Sequence, residues 1–304
     1  MSTSLPIKIP KEQVILKFSP SNPPVQVIKS DSTIIFETCD CFSNLIQKED
    51  QLFSSVGWDK INPATGPLFV EGAEPGDVLK VEILKIKIAD QGVMTAAPKF
   101  GVFGELLEVE KTKVFRIENG KVLFNERIQI PVRPMIGVIG TSPANEEIPT
   151  GTPGQHGGNM DCKRIVEGAT LYLPVHVPGA LLSMGDLHAV MGDGEVLICG
   201  LEIPGEVTIR VSVIKDKILP LPMLREGDHL MTIVSAETVD LAAKQATIQM
   251  HDFLTNELGM EFNEAAMLLS LVGDLRICQV VDPLMTVRME LPLSVLENYH
   301  YKLI

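Results

Sequence analysis

With 304 residues, 45% of them hydrophobic, the chain is long enough for one large domain or two ordinary ones around a sizeable core. A formal net charge of −13 argues against a phosphate-backbone or anionic-membrane partner and favours small neutral or cationic ligands. Five cysteines, at 39, 41, 162, 199 and 278, include no Cys-x-x-Cys pair, so neither a disulfide framework nor a thiolate zinc site is indicated. The N-terminal residues lack a secretory-signal pattern and no apolar run reaches membrane length, so a cytoplasmic protein is expected.

Strand and turn signals dominate the first three quarters of the chain. Glu74-Pro-Gly-Asp77 places proline and glycine where a type II turn needs them. It leads into a strand predicted over 78–88. The apolar phase there is odd at Leu79, Val81 and Ile83, then even at Leu84, Ile86 and Ile88, which predicts a β-bulge near Ile83. From Pro134 to Gly158, glycines and prolines are frequent enough that a long loop is expected. Residues 171–177 alternate as a strand, but Pro174 demands an edge position or a break. Val207, Ile209, Val211 and Val213 alternate with polar residues, the period of a half-buried strand.

The pattern then changes. Apolar residues from Val239 to Leu258 recur at three- and four-residue spacing, and Gly259 supplies the stop. A second helix is expected from a cap at Asn263 to Gly273. Two short strands follow, over 275–281 and 285–291. The expected architecture is therefore mainly β, a β-sandwich or jelly-roll-like core with a smaller α+β portion towards the C-terminus. Residues 1–235 would form the β domain, and 236–304 a helical hairpin and short strands packed on it.

The chemistry concentrates between Gly151 and Glu195. Two glycine-rich clusters, 154–161 and 185–195, supply His156, Asn159, Asp161, Asp186, His188, Asp193 and Glu195. Asp186 and His188 are two apart, so on a strand both project from one face and can surround one cation. Asp193-Gly194 reads as a turn that returns Glu195 towards the same place. His156, Asn159 and Asp161 lie in the flexible glycine-rich stretch. Three or four such ligands plus a water make a catalytic zinc-type site, and a free carboxylate beside it would handle the water's proton. His176, His229, His251 and His300 read as structural or surface residues. No nucleophile elbow, Walker loop or dinucleotide fingerprint occurs.

These residues carry a resemblance. Asn62 through Asp77, Gly137-Val-Ile-Gly140, His156-Gly-Gly-Asn-Met-Asp161 and Gly185 through Glu195 resemble the acetamidase/formamidase family, as do Ala265 through Ser270, Gly273-Asp-Leu-Arg-Ile and Val281-Asp-Pro283. The similarity runs from about Phe36 to about Leu291. It implies hydrolysis of short aliphatic amides, formamide or acetamide, to carboxylate and ammonia. It further implies a cytoplasmic homo-oligomer, a dimer, with no nucleic-acid or membrane partner. The cofactor implied is a divalent metal, with zinc placed ahead of calcium or another divalent ion. Carried over by position, Asp40, His156, Asp161, Asp186 and His188 are candidate ligands, Glu195 the general base and Asn159 the donor to the amide oxygen.

Three rival readings stand beside this one. Cys162 could serve a metal-free thiol amidase. Gly-Asp-x-His followed by a glutamate also fits a cupin-like metal-dependent oxygenase, although Val190 stands where a second histidine is expected. The chain could also be a non-enzymatic metal- or ligand-binding module.

Overall fold

A computed structural model of the chain describes residues 7–302. Two sheets face each other across one apolar core. The larger has nine strands, in the order Ile7–Ile9, Ser32–Thr38, Gly205–Ile214, Val78–Ile88, Thr170–Pro174, Met223–Glu226, His229–Ala236, Met285–Pro292 and Asp274–Gln279. The smaller is built on Gly157–Asn159, Met135–Gly140, Leu182–His188, Ala64–Glu71 and Val14–Ile15, with Gln26–Lys29 also pairing to Ala64–Glu71. Phe36, Val81 and Ile209 point inward from the first sheet and meet Leu68, Ile139 and Met184 from the second in a single buried cluster. Strands such as Ser32–Thr38 and Gly205–Ile214 alternate and bury one face, the basis of a sandwich, whereas Leu182–His188 of the smaller sheet is buried throughout. A smaller antiparallel sheet, Gln91–Ala96, Lys111–Glu118, Lys121–Leu123 and Gln129–Pro131, stands beside it.

The expected bulge is present. Thr208 pairs with Lys85 and Ile209 with Ile83, so Leu84 drops out of the ladder and lies exposed. The turn before this strand carries Gly76 at φ 96°, as a type II turn requires. Thr170–Pro174 ends at its proline.

One expectation fails. Residues 134–158 are not a continuous loop, because Met135–Gly140 is a fully buried strand between Gly157–Asn159 and Leu182–His188. Its glycines mark close approaches instead of turns. A Cβ on Gly140 would sit 2.7 Å from the Gly158 nitrogen, and the Gly137 position is tighter still against side chains.

Among the described residues, the α-helices lie towards the C-terminus: α1 Val239–Leu258, α2 Phe262–Val272 and α3 Leu293–Asn298. Thr238 caps α1 through its side chain, and Gly259 closes it at φ 68°. Glu261, rather than Asn263, caps α2 by accepting from the Asn263 and Glu264 backbone nitrogens. Ala242, Ala246, Met250 and Leu254 of α1 join the buried cluster that includes Leu230, Val287 and Leu291 of the large sheet. Strands 274–279 and 285–292 belong to that same sheet, and the turn between them carries Asp282 to a buried cavity it shares with Asp186 and His188. No helix among the described residues is long and apolar enough to cross a membrane.

Candidate active site

The buried strand Leu182–His188 delivers the first two residues. Asp186 adopts φ 56°, opposite Gly137 in the interrupted register with Met135–Gly140. Asp161 and Glu195 are also left-handed, at φ 40° and 42°. Such backbone costs of order 1–3 kcal/mol per residue and persists where surrounding structure enforces it. Here it turns three carboxylates towards one imidazole.

The His188 Nε2 atom is the focus. It lies 2.9 Å from Glu202 Oε1, 3.5 Å from Asp186 Oδ1, 3.8 Å from Asp161 Oδ1 and 3.9 Å from Glu195 Oε1. Asp161, Asp186 and His188 offer ligand atoms within 4.8 Å of one another, and so do His188, Glu195 and Glu202. Asn159 donates from Nδ2 to Asp282 Oδ2 at 3.1 Å. All these residues line one cavity of about 220 Å³.

So many buried carboxylates cannot all ionise unaided. Burial, and then the charges of Asp282 and Asp186, push the Asp161 carboxyl well above the usual range. Burial and the neighbouring Asp161 do the same to Glu195, and burial with Glu195 to Asp282. Burial lifts Glu202 to about 8 against the pull of His188. Although burial opposes it, the His188 charge holds Asp186 low. His188 is raised, against burial, by the Glu202 and Asp186 carboxylates.

A divalent cation fits this set. Oδ1 of Asp161 and of Asp186, and Oε2 of Glu195 and of Glu202, are buried and find no hydrogen-bond partner among the described residues. Buried acceptors left unpaired are costly, and a cation satisfies several at once.

The sign of the pH dependence follows. Glu202 rises from an ordinary 4.5 to about 8 and Asp40 from 3.8 to about 6, so the metal-free fold is favoured by their protonated forms. Their contribution is complete below their unfolded values and is lost as pH rises through about 6 and about 8. A cation replaces those protons. We expect the Tm of metal-free protein to fall between about pH 5 and pH 8.5, and added divalent cation to restore it more at the higher pH. Thermal unfolding with and without chelator checks this, and a cation effect that shrinks with pH would contradict it.

The structure gathers Asp161, Asp186, His188, Glu195 and Asn159 from the sequence candidates and leaves two outside. Asp40 sits behind Asp186 and is lifted to about 6 by burial, while its Oδ1 accepts from the Phe42 and Asn44 backbone nitrogens. His156 occupies a tight turn closed by reciprocal Gly154–Gly157 hydrogen bonds. Its ring meets Phe18 edge-on at 5.0 Å and lines a different cleft with His176. Asp193 also takes another partner: both its oxygens accept from Arg288, at 2.6 and 2.8 Å, which pins the turn carrying Glu195. Cys162 is fully buried beside Cys278 and Arg288 and does not line the cavity.

Two residues of the centre were not among the candidates. Glu202 is a lone charge inside the apolar run Ile198–Ile203, a visible signal of a buried functional carboxylate. Asp282 lies in a short turn nearly ninety residues from Glu195, and spacing alone does not connect them.

The acetamidase/formamidase family model matches residues 3–150 and 144–298. The chain is 52% identical to an acetamidase of known structure from Bacillus halodurans, with a TM-score of 0.95 over 96% of this chain and 99% of that one. It is 26% identical to the formamidase of Methylophilus methylotrophus over 79% of this chain and 75% of that one. A provisionally named formamidase of Schizosaccharomyces pombe is 28% identical over 68% of this chain, which spans 65% of that protein's length.

Proposed function

The chain belongs to the acetamidase/formamidase family, and on that premise we propose that it hydrolyses linear amides, formamide and acetamide being the simplest, to carboxylate and ammonia. The observation that carries the reading is the convergence of Asp161, Asp186, Glu195 and Glu202 on His188 with ligand atoms left unpaired. Asp161, Asp186 and His188 would hold a divalent cation, with Glu202 beside them. The imidazole among carboxylates favours zinc over calcium, which takes oxygen ligands. When bound, the cation supplies Lewis-acid polarisation and lowers the pKa of water at the site.

The chain's own groups do the rest. Glu195, raised by burial and by Asp161, holds a proton more readily than an ordinary carboxylate. It is therefore suited to take a proton from the attacking water and return it to the departing nitrogen. Asn159 is anchored on Asp282 through one N–H and has a second to offer the carbonyl oxygen as negative charge develops. Asp40, through its backbone hydrogen bonds, holds the turn behind Asp186. All five cysteines are free, in keeping with a reducing cytoplasm. Exposed Met267 and Leu271, one turn apart on α2, form an apolar strip of the kind a homodimer covers.

Ammonia release from formamide, acetamide and propionamide tests the assignment. Activity should vanish on exhaustive chelation and return with zinc or another divalent ion. Turnover surviving chelation would reject the metal-dependent reading, and oxygen consumption in place of ammonia release would move the site to oxygenase chemistry.

A further inference from the structure

The chain is poor in aromatics, 5% of its residues, yet it places its single tryptophan and several phenylalanines at the mouth of this cavity. Trp58 stands edge-on to Phe53 at 5.3 Å and tilted against Phe100 at 5.6 Å. Phe53 meets Phe100 at 5.4 Å and Phe42 at 6.0 Å. Ile61 and Ile198 complete the wall. The inner rings are core residues, Phe42 at 2% and Phe53 at 6% exposure, whereas Trp58 is 65% exposed. An exposed indole continuous with a buried aromatic cluster offers a ligand in this cavity an apolar contact surface.

The segments that carry these rings are tied to Glu195 and to the turn behind Asp186. Phe42 is two residues from Asp40, and Trp58 follows in the same excursion between Thr38 and Ala64. Phe100 precedes Gly101, where a Cβ would fall 1.2 Å from the Leu197 carbonyl oxygen, and the Val102 nitrogen donates to the Val196 oxygen. The aromatic loop is thus clamped on the segment immediately after Glu195.

The cavity is therefore two-ended, with carboxylates and imidazole at the floor and aromatic rings at the opening. Its volume of about 220 Å³ is also large for its simplest substrates. A water takes about 30 Å³ in the liquid, and formamide or acetamide displaces only a few. A polar head with an apolar tail matches such a pocket, because the few polar groups orient the ligand and the apolar wall supplies the burial.

Resting on the amidase reading, we propose that the preferred substrates are primary amides whose acyl group carries an aromatic or bulky apolar substituent, seated against Trp58, Phe53 and Phe100. The reaction is ordinary hydrolysis. Water oxygen bonds to the carbonyl carbon, the carbon–nitrogen bond breaks, and nitrogen leaves as ammonia with a proton from the attacking water.

The lone tryptophan makes a site-specific reporter. Metal-loaded protein is titrated with phenylacetamide, acetamide and glycinamide while Trp58 fluorescence and ammonia release are recorded. We expect a saturable fluorescence change with phenylacetamide and a kcat/KM at least about tenfold above that for acetamide. Trp58→Ala should lower that preference by about tenfold, the value of an aromatic contact, while Trp58→Phe retains most of it. Equal or better use of acetamide, with no fluorescence response to phenylacetamide, overturns the inference and leaves the amidase reading standing. Fluorescence saturation by phenylacetamide without ammonia from any amide overturns the amidase reading and keeps the apolar mouth. A preference for the cationic glycinamide over acetamide assigns the mouth to a cation and overturns its apolar assignment.

Discussion

Glu195→Gln is expected to lower ammonia release by about a hundred- to ten-thousandfold while the protein keeps its metal. The substitution is isosteric, and burial already favours a neutral group at this position, so the fold should tolerate it. Glutamine cannot take a proton from water and return it to nitrogen. Glu195 stands 3.9 Å from His188 Nε2, farther than Glu202 at 2.9 Å, and its Oε2 is unpaired. In the proposed division of labour, Asp161, Asp186 and His188 hold the cation and Glu195 moves the proton. The loss should fall on kcat with little change in KM, the signature of a group that acts in the transition state. Metal content measured beside turnover decides the role. If metal and activity disappear together, Glu195 is a ligand; if wild-type turnover persists, another group moves the proton.

Gly137→Ala should remove the metal site while leaving the sandwich folded. The added Cβ would lie 2.5 Å from Asp161 Oδ1, 2.6 Å from Asp186 Oδ2 and 2.9 Å from the Asp186 carbonyl oxygen. Gly137 has no positive φ, so alanine suits the backbone and the conflict is confined to these neighbours. Both carboxylates must move, and a displacement of about 1 Å at a reacting centre costs on the order of a hundredfold in rate. Overpacking of this kind destabilises by about 1–3 kcal/mol. Elemental analysis, ammonia release and urea unfolding separate the two effects. A variant with full metal content and wild-type turnover would show that the carboxylates do not need the space.

Local pattern reached far in this chain. Alternation placed the strands 78–88 and 205–214, and a phase slip found the bulge at Leu84. Three- and four-residue spacing with a glycine stop found α1. These succeed because the side chains of one strand or helix share a face that must be buried, so the partition is written in the residues themselves. The same reasoning put Asp186 and His188 on one side of a strand, and a turn at Asp193-Gly194 sent Glu195 towards them.

It failed where a residue's meaning depends on what lies across from it. Gly137 and Gly140 read as breakers, yet they are the positions of a buried strand where neighbouring carboxylates and backbone leave no room for a Cβ. His156, in a glycine-rich run, read as a ligand, but the Gly154–Gly157 turn directs it to Phe18 and a second cleft.

By itself, then, the sequence determined the mainly β class, the helical C-terminal portion and the stretch that supplies most of the buried acidic centre, because periodicity and residue type are local properties. Only the tertiary structure decided the membership of the centre. Glu202 and Asp282 join it, and the Trp58 cluster lines the same cavity, through sheet pairing and loop contacts between distant segments. A constellation held by long-range packing has no spacing to read, since the distances that define it are set by neighbours in space.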